Sequence, residues 1–149
     1  MTATGHALIG TVIAAKIGNP ALAIPIALAS HFICDALPHW DTGHGRENQS
    51  KTHFVTASAI DVILGFALSY LLIILFFPGT NLLYALLMIL MAQLADWLTI
   101  PWLFLNWKFA PFTWMYEIQK RFDSSIGLPW GFINQAVAVI ALIVLAKIF

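Results

Sequence analysis

Three stretches of this chain run without a charged residue for longer than a soluble protein of its size could hide: Val62 to Phe77, Thr80 to Leu94 and Leu128 to Ala146. At 1.5 Å of rise per residue, about 20 apolar residues cross a hydrocarbon core of about 30 Å, so each run approaches a membrane span. Composition agrees. The chain is 60% hydrophobic and 9% charged, against about 25% charged in ordinary soluble domains. Its mean hydropathy is +0.85. A length of 149 residues suffices for one domain. The expectation is a single all-α, membrane-embedded helical domain over residues 1–149, with the lipid bilayer as its partner.

Helix-stopping residues divide this domain into about five membrane segments. The first runs from about Gly5 to Ile17 and is stopped by Gly18-Asn19-Pro20. The second runs from about Ala21 to Leu37 and ends at Pro38. Both are short for a full span and read equally as a tilted pair or a re-entrant hairpin. The third, about Thr52 to Phe77, stops at Pro78-Gly79; the fourth covers about Asn81 to Leu105; the fifth starts at Pro129, where a missing N–H is harmless. Between the last two, Asn106 to Leu128 mixes Trp107, Trp114 and Tyr116 with Lys108, Lys120 and Arg121. That mixture predicts a helix lying in the membrane interface, with a plain surface loop as the alternative. The N-terminus lacks the basic stretch of a signal peptide, so the first segment is expected to be retained.

Lys and Arg set the orientation. Alternating the segments puts Arg46, Lys51, Lys108, Lys120 and Arg121 on one side and only Lys16 and Lys147 on the other. The richer side is expected to be cytoplasmic, and Trp40, Trp102, Trp107, Trp114 and Trp130 fall near it. Net charge is zero, which leaves no footprint for nucleic acid. The single cysteine, Cys34, excludes an internal disulfide and reads as a small packing residue.

The polar residues within the segments are few and share one depth. All five histidines lie in the first 53 residues: His6, His31, His39, His44 and His53. The carboxylates inside segments are Asp35, Asp61 and Asp96, and alternation places all of these on the cytoplasmic side. An aspartate in a membrane segment costs about 2.5–3.5 kcal/mol, so it faces a partner or a cavity. Three such aspartates without a buried Lys or Arg call for one or more divalent cations. Histidine with carboxylate suits zinc, with manganese or iron as alternatives. Local spacing agrees: His31 and Asp35 are an i, i+4 pair on one face, and His53 and Asp61 stand about two turns apart. Pro38 ends the second segment so that His39 and Asp41 can point the same way. The bland alternative is that Asp61, Asp96 and His6 are interhelical hydrogen-bonding or helix-starting groups. His44, within Thr42-Gly43-His44-Gly45-Arg46, reads as a solvated loop residue.

On these residues the chain resembles a known family, the small bacterial and archaeal membrane-bound metal-dependent hydrolases. The matching pieces are Gly5-His6-x-Leu8-Ile9-Gly10, His31-x-x-x-Asp35-x-Leu37-Pro38-His39-x-Asp41 and Lys51-Thr52-His53, all within about the first 60 residues. The family's central motif is commonly Leu-Pro-Asp-x-Asp, so His39 stands where an aspartate is usual; its third motif often ends in serine, where Phe54 stands here. A more distant likeness is to zinc-dependent phospholipases C, which also use His-x-x-x-Asp pairs at a multi-zinc site. The resemblance implies a hydrolase of the inner membrane with its site on the cytoplasmic face. The expected ligands are His6, His31, Asp35, His39, Asp41 and His53. Asp61 and Asp96 are expected at the catalytic centre, Asp61 as a further ligand or a group that orients a ligating histidine, and Asp96 as general base or a similar orienting group. The site's depth implies an amphiphilic ester or phosphoester such as a phospholipid. Two other readings stay open. One is a metal-ion or proton carrier, since buried Asp and His also mark ion pathways. The other is a non-catalytic protein with a structural metal site.

Overall fold

A computed structural model describes residues 1–149 as seven α-helices without strands. The helices begin where a side chain can take up a free N–H. Thr2 caps α1 (Ala3–Lys16) through the Gly5 N–H, and Asn19 caps α2 (Pro20–Asp35) through Ala21. Ser50 caps α3 (Lys51–Phe76) through His53, and Asn81 caps α4 (Leu82–Ala92) through Tyr84. These bonds satisfy donors that a helix start leaves open. The chain continues as α5 (Leu94–Phe104), α6 (Phe112–Phe122) and α7 (Trp130–Ile148).

Helix α1 is the centre of the bundle, packed by α2, α3, α4 and α7. It is apolar or small on every side, as a surrounded helix must be, and residues from Gly5 through Ala14 are buried almost without interruption. Small residues let its neighbours come close. A Cβ on Gly10 would stand 2.8 Å from the Met88 carbonyl oxygen, and one on Gly65 of α3 would stand 3.1 Å from the Thr4 Cα.

Helices α3 and α7 are long and apolar enough to cross a membrane. Helices α4 and α5 are apolar enough only when taken together, and the pair is bent by 52° at Gln93, as in a broken span or a re-entrant loop; the spans number two, or three if the pair is one of them. Five membrane-crossing segments are therefore too many. With 14 and 16 residues, α1 and α2 fall short of the span a bilayer core needs, reaching about 21 and 24 Å against about 30 Å. Ile63 and Leu75 of α3, and Val137 and Ile148 of α7, point outward and are exposed, a surface suited to lipid rather than water. A helix does form within the aromatic stretch before α7, and α6 leaves Trp114, Ile118 and Phe122 exposed.

The two ends of the bundle differ. At one end the Tyr84 hydroxyl donates to the Ile17 carbonyl (2.6 Å) and Lys147 donates to the Phe76 carbonyl (3.0 Å). The starts of α1 and α3, the end of α2, the 39–50 loop and α6 gather towards the other. Here α1 starts beside Asp61, ten residues into α3, and so about 15 Å below the start of that helix.

Candidate metal centre

The break at Gln93 organises the first group of ligand-type side chains. A helix end leaves carbonyls without intrahelical partners, and His31 Nδ1 lies 2.9 Å from the freed Ala92 carbonyl. With Nδ1–H donating there, His31 Nε2 faces the carboxylates: Asp35 Oδ2 at 3.2 Å and Asp96 Oδ1 at 3.6 Å. His6 from α1 stacks on the His31 ring, centroids 4.0 Å apart, and its Nε2 lies 3.1 Å from Asp35 Oδ1. The amino group of Met1 meets the same oxygen. Gln119 of α6 closes the group, donating to Asp96 Oδ1 at 2.9 Å with His31 Nε2 also 2.9 Å away. His6 and His31 are almost fully buried, and His6 Nδ1 has no hydrogen-bond partner.

The second group follows from the chain's path after α2. His39 Nδ1 donates to the Leu37 carbonyl at 2.8 Å, which turns Nε2 towards Asp41 Oδ2 (3.2 Å) and Asp123 Oδ1 (3.7 Å). The segment after α6 is held there by its backbone: Ser124 N–H donates to the Asp35 carbonyl (3.0 Å) and Ile126 N–H to the His39 carbonyl (2.7 Å). Gly131 allows this approach, since a Cβ on it would lie 2.7 Å from the Trp40 nitrogen. Burial alone would raise the Asp41 carboxyl. The His39 ring, the amino terminus and the Gly43 N–H outweigh it and hold Asp41 below the usual carboxylate range.

Both groups could hold a metal ion. His6, His31 and Asp96 can each offer a ligand atom within 4.8 Å of the others, and so can His39, Asp41 and Asp123. Ligand atoms around a tetrahedral zinc stand about 3.3 Å apart, given Zn–N distances of about 2.0–2.1 Å. The Nε2-to-carboxylate separations of 3.2–3.7 Å bracket that value. In each group a backbone carbonyl fixes the ring so that Nε2 is the atom presented, the arrangement metal-binding histidines usually show.

The structure thus brings together His6, His31, Asp35 and Asp96, and separately His39 and Asp41. It does not bring His53 to either. As the third residue of α3, capped by Ser50, its ring turns outward to Gln49 Oε1 at 3.3 Å and is exposed. Asp61 lines the cavity below and also holds the start of α1. Its Oδ2 accepts from Ala3 N–H (2.7 Å) and its Oδ1 from Thr4 N–H (3.1 Å), so it caps α1 from the side and complements the positive end of that helix. Asp61→Ala is expected to lower stability by about 1–2 kcal/mol, the usual worth of a cap, with metal content unchanged. Reversible SDS denaturation with elemental analysis checks this; full stability with lost metal would return Asp61 to the site. Sequence reasoning missed Gln119 and Asp123.

The two groups open on one cavity of about 810 Å³, which Asp35, Asp96, Asp41 and Asp123 all line. Comparison with protein-family models, curated proteins and solved structures gave no match to the chain. Its chemistry has to be read from the site itself.

Proposed function

We propose that this protein is a membrane-embedded metal-dependent hydrolase acting on an amphiphilic ester or phosphoester, with zinc as the preferred ion. The observation that carries the reading is the pair of His–carboxylate groups opening on one cavity whose remaining walls are largely apolar. Zinc bound there supplies a water of lowered pKa and withdraws charge from a carbonyl or phosphoryl oxygen. The chain's own residues do the rest. His31 and His39 are locked by backbone carbonyls and present one nitrogen each. Asp96 and Asp123 keep nearly half of their side-chain surface open, while the histidines are sealed. The two carboxylates are therefore placed to complete the groups and to accept a proton from an attacking water. Buried His6 Nδ1, lacking a protein partner, is a further open donor position.

The likeness of the His31-to-Asp41 motif to membrane-bound hydrolases points the same way. The five Lys and Arg residues read as cytoplasmic include Arg46 and Lys120 of the cavity wall, which supports an inner-membrane protein working from its cytoplasmic face. The test is hydrolysis of phosphodiester and carboxylester lipids in mixed micelles. Chelation should abolish turnover, zinc should restore it, and His31→Ala should not respond to zinc. Turnover that persists after verified metal removal would refute the reading, as would zinc flux through liposomes without any turnover.

A further inference from the structure

The cavity carries information about its occupant beyond the metal groups. Five carboxylates and two cations, Arg46 and Lys120, line it. Every carboxylate already has a partner: Asp35 and Asp96 share His31, Asp41 and Asp123 share His39, and Asp61 holds the start of α1. Neither cation forms a salt bridge with any of them. Arg46 is instead propped on aromatic rings, its guanidinium 4.5 Å above Phe54 and 5.9 Å from Phe104, which stack on one another in the cavity wall. An arginine held by its flat face keeps its N–H edge for another ligand. Val55, Ala59 and Val62 from α3 and Ile100 and Leu103 from α5 give the cavity an apolar wall, interrupted by Ser58 and Thr99.

We infer that this cavity holds one chain of a membrane lipid between α3 and α5, with the lipid's phosphate bound by Arg46 and Lys120. The inference rests on the metal-site reading, because bound metal ions neutralise the carboxylates that would otherwise repel an anion. Charge complementarity selects the head: the two cations without a carboxylate partner line one cavity with these apolar side chains, and a guanidinium edge matches two phosphate oxygens. The cavity volume falls within the range of ligand sites, about 300–1,000 Å³.

Dodecylphosphonate tests this on the metal-loaded protein, since its P–C bond is not hydrolysed and binding is read apart from turnover. Binding is measured by native mass spectrometry from neutral maltoside micelles, beside dodecyltrimethylammonium and inorganic phosphate. The phosphonate should bind at least tenfold more tightly than either comparison ligand. Arg46→Gln with Lys120→Gln should remove most of that margin, and Ala59→Trp should obstruct the chain while metal content stays at the wild-type value. Equal binding of the trimethylammonium amphiphile, or phosphonate binding untouched by the double variant, overturns the assignment of the head. Equal binding of inorganic phosphate overturns the chain corridor. If phosphonate binds as expected but no ester is turned over, the hydrolase reading alone fails. If lipid esters turn over but the double variant binds phosphonate normally, this inference alone fails.

Discussion

Asp35→Asn is expected to lower the affinity of the first group for zinc by about 100-fold and to leave the second group loaded. Asp35 is the one carboxylate in contact with both buried rings of its group, at 3.1 Å from His6 Nε2 and 3.2 Å from His31 Nε2. Asparagine has nearly the same shape, so packing is preserved. It removes the negative charge and turns an amide N–H₂ towards one of the two nitrogens. Loss of a group that directly orients metal-binding histidines typically costs about 10–100-fold in affinity, and the loss of charge in a buried site puts Asp35 at the upper end. The complementary variant, His39→Ala, should empty only the second group. Elemental analysis after dialysis against a weak chelator measures both. Wild-type metal content in Asp35→Asn would remove Asp35 from the centre, and loss of all metal in either variant would show one coupled site instead of two.

Gly10→Leu is expected to cost at least about 3 kcal/mol, a large share of the 5–15 kcal/mol that holds a typical domain together. The reason is where the side chain would have to go. The first carbon alone would sit 2.8 Å from the Met88 carbonyl oxygen and 2.9 Å from the Ile89 Cα. Those are main-chain atoms of α4, so no rotamer change makes room and α1 must move off α4. Overpacking ordinarily costs about 1–3 kcal/mol when side chains can yield; here the obstacle is a helix. The same displacement separates His6 on α1 from His31, whose ring is tied to the Ala92 carbonyl of α4. Metal content should therefore fall together with stability. Gly18→Ala, at a position with nothing within 4 Å of the added carbon, is the control and should behave as wild type. SDS unfolding curves decide it, and a Gly10→Leu protein as stable as the control would rule out the close α1–α4 contact.

Much of this was legible in the sequence because it rests on local rules. Pro20, Pro78-Gly79 and Pro129 mark helix boundaries, and the His31–Asp35 spacing puts two ligand types on one face. The break at Gln93 was not legible, because no Gly or Pro marks it; Pro101, the residue that looks like a breaker, lies inside α5. Contacts distant in sequence accompany the break: the Gln93 amide donates to the Ala3 carbonyl at 2.8 Å, and His31 takes up the Ala92 carbonyl. His53 misled for the opposite reason. Its spacing to Asp61 is right for one helix face, but α1 begins beside Asp61 and never reaches the level of His53. Asp123 escaped notice because its relation to His39 is made by backbone pairing across more than eighty residues, which no local pattern encodes.

The short length of α1 also bears on where the chemistry can happen. Because that helix begins about 15 Å below the start of α3, the centre of the bundle is hollow on one side of the bilayer and filled on the other. A hydrolase faces a conflict between an insoluble substrate and a reaction that consumes water. Most of its options involve lifting the substrate out. For the hydrolase proposed above, a recessed floor would offer the reverse solution: water would reach the cavity carboxylates at the level of the acyl chains, and the scissile bond would be met without extracting its lipid from the membrane.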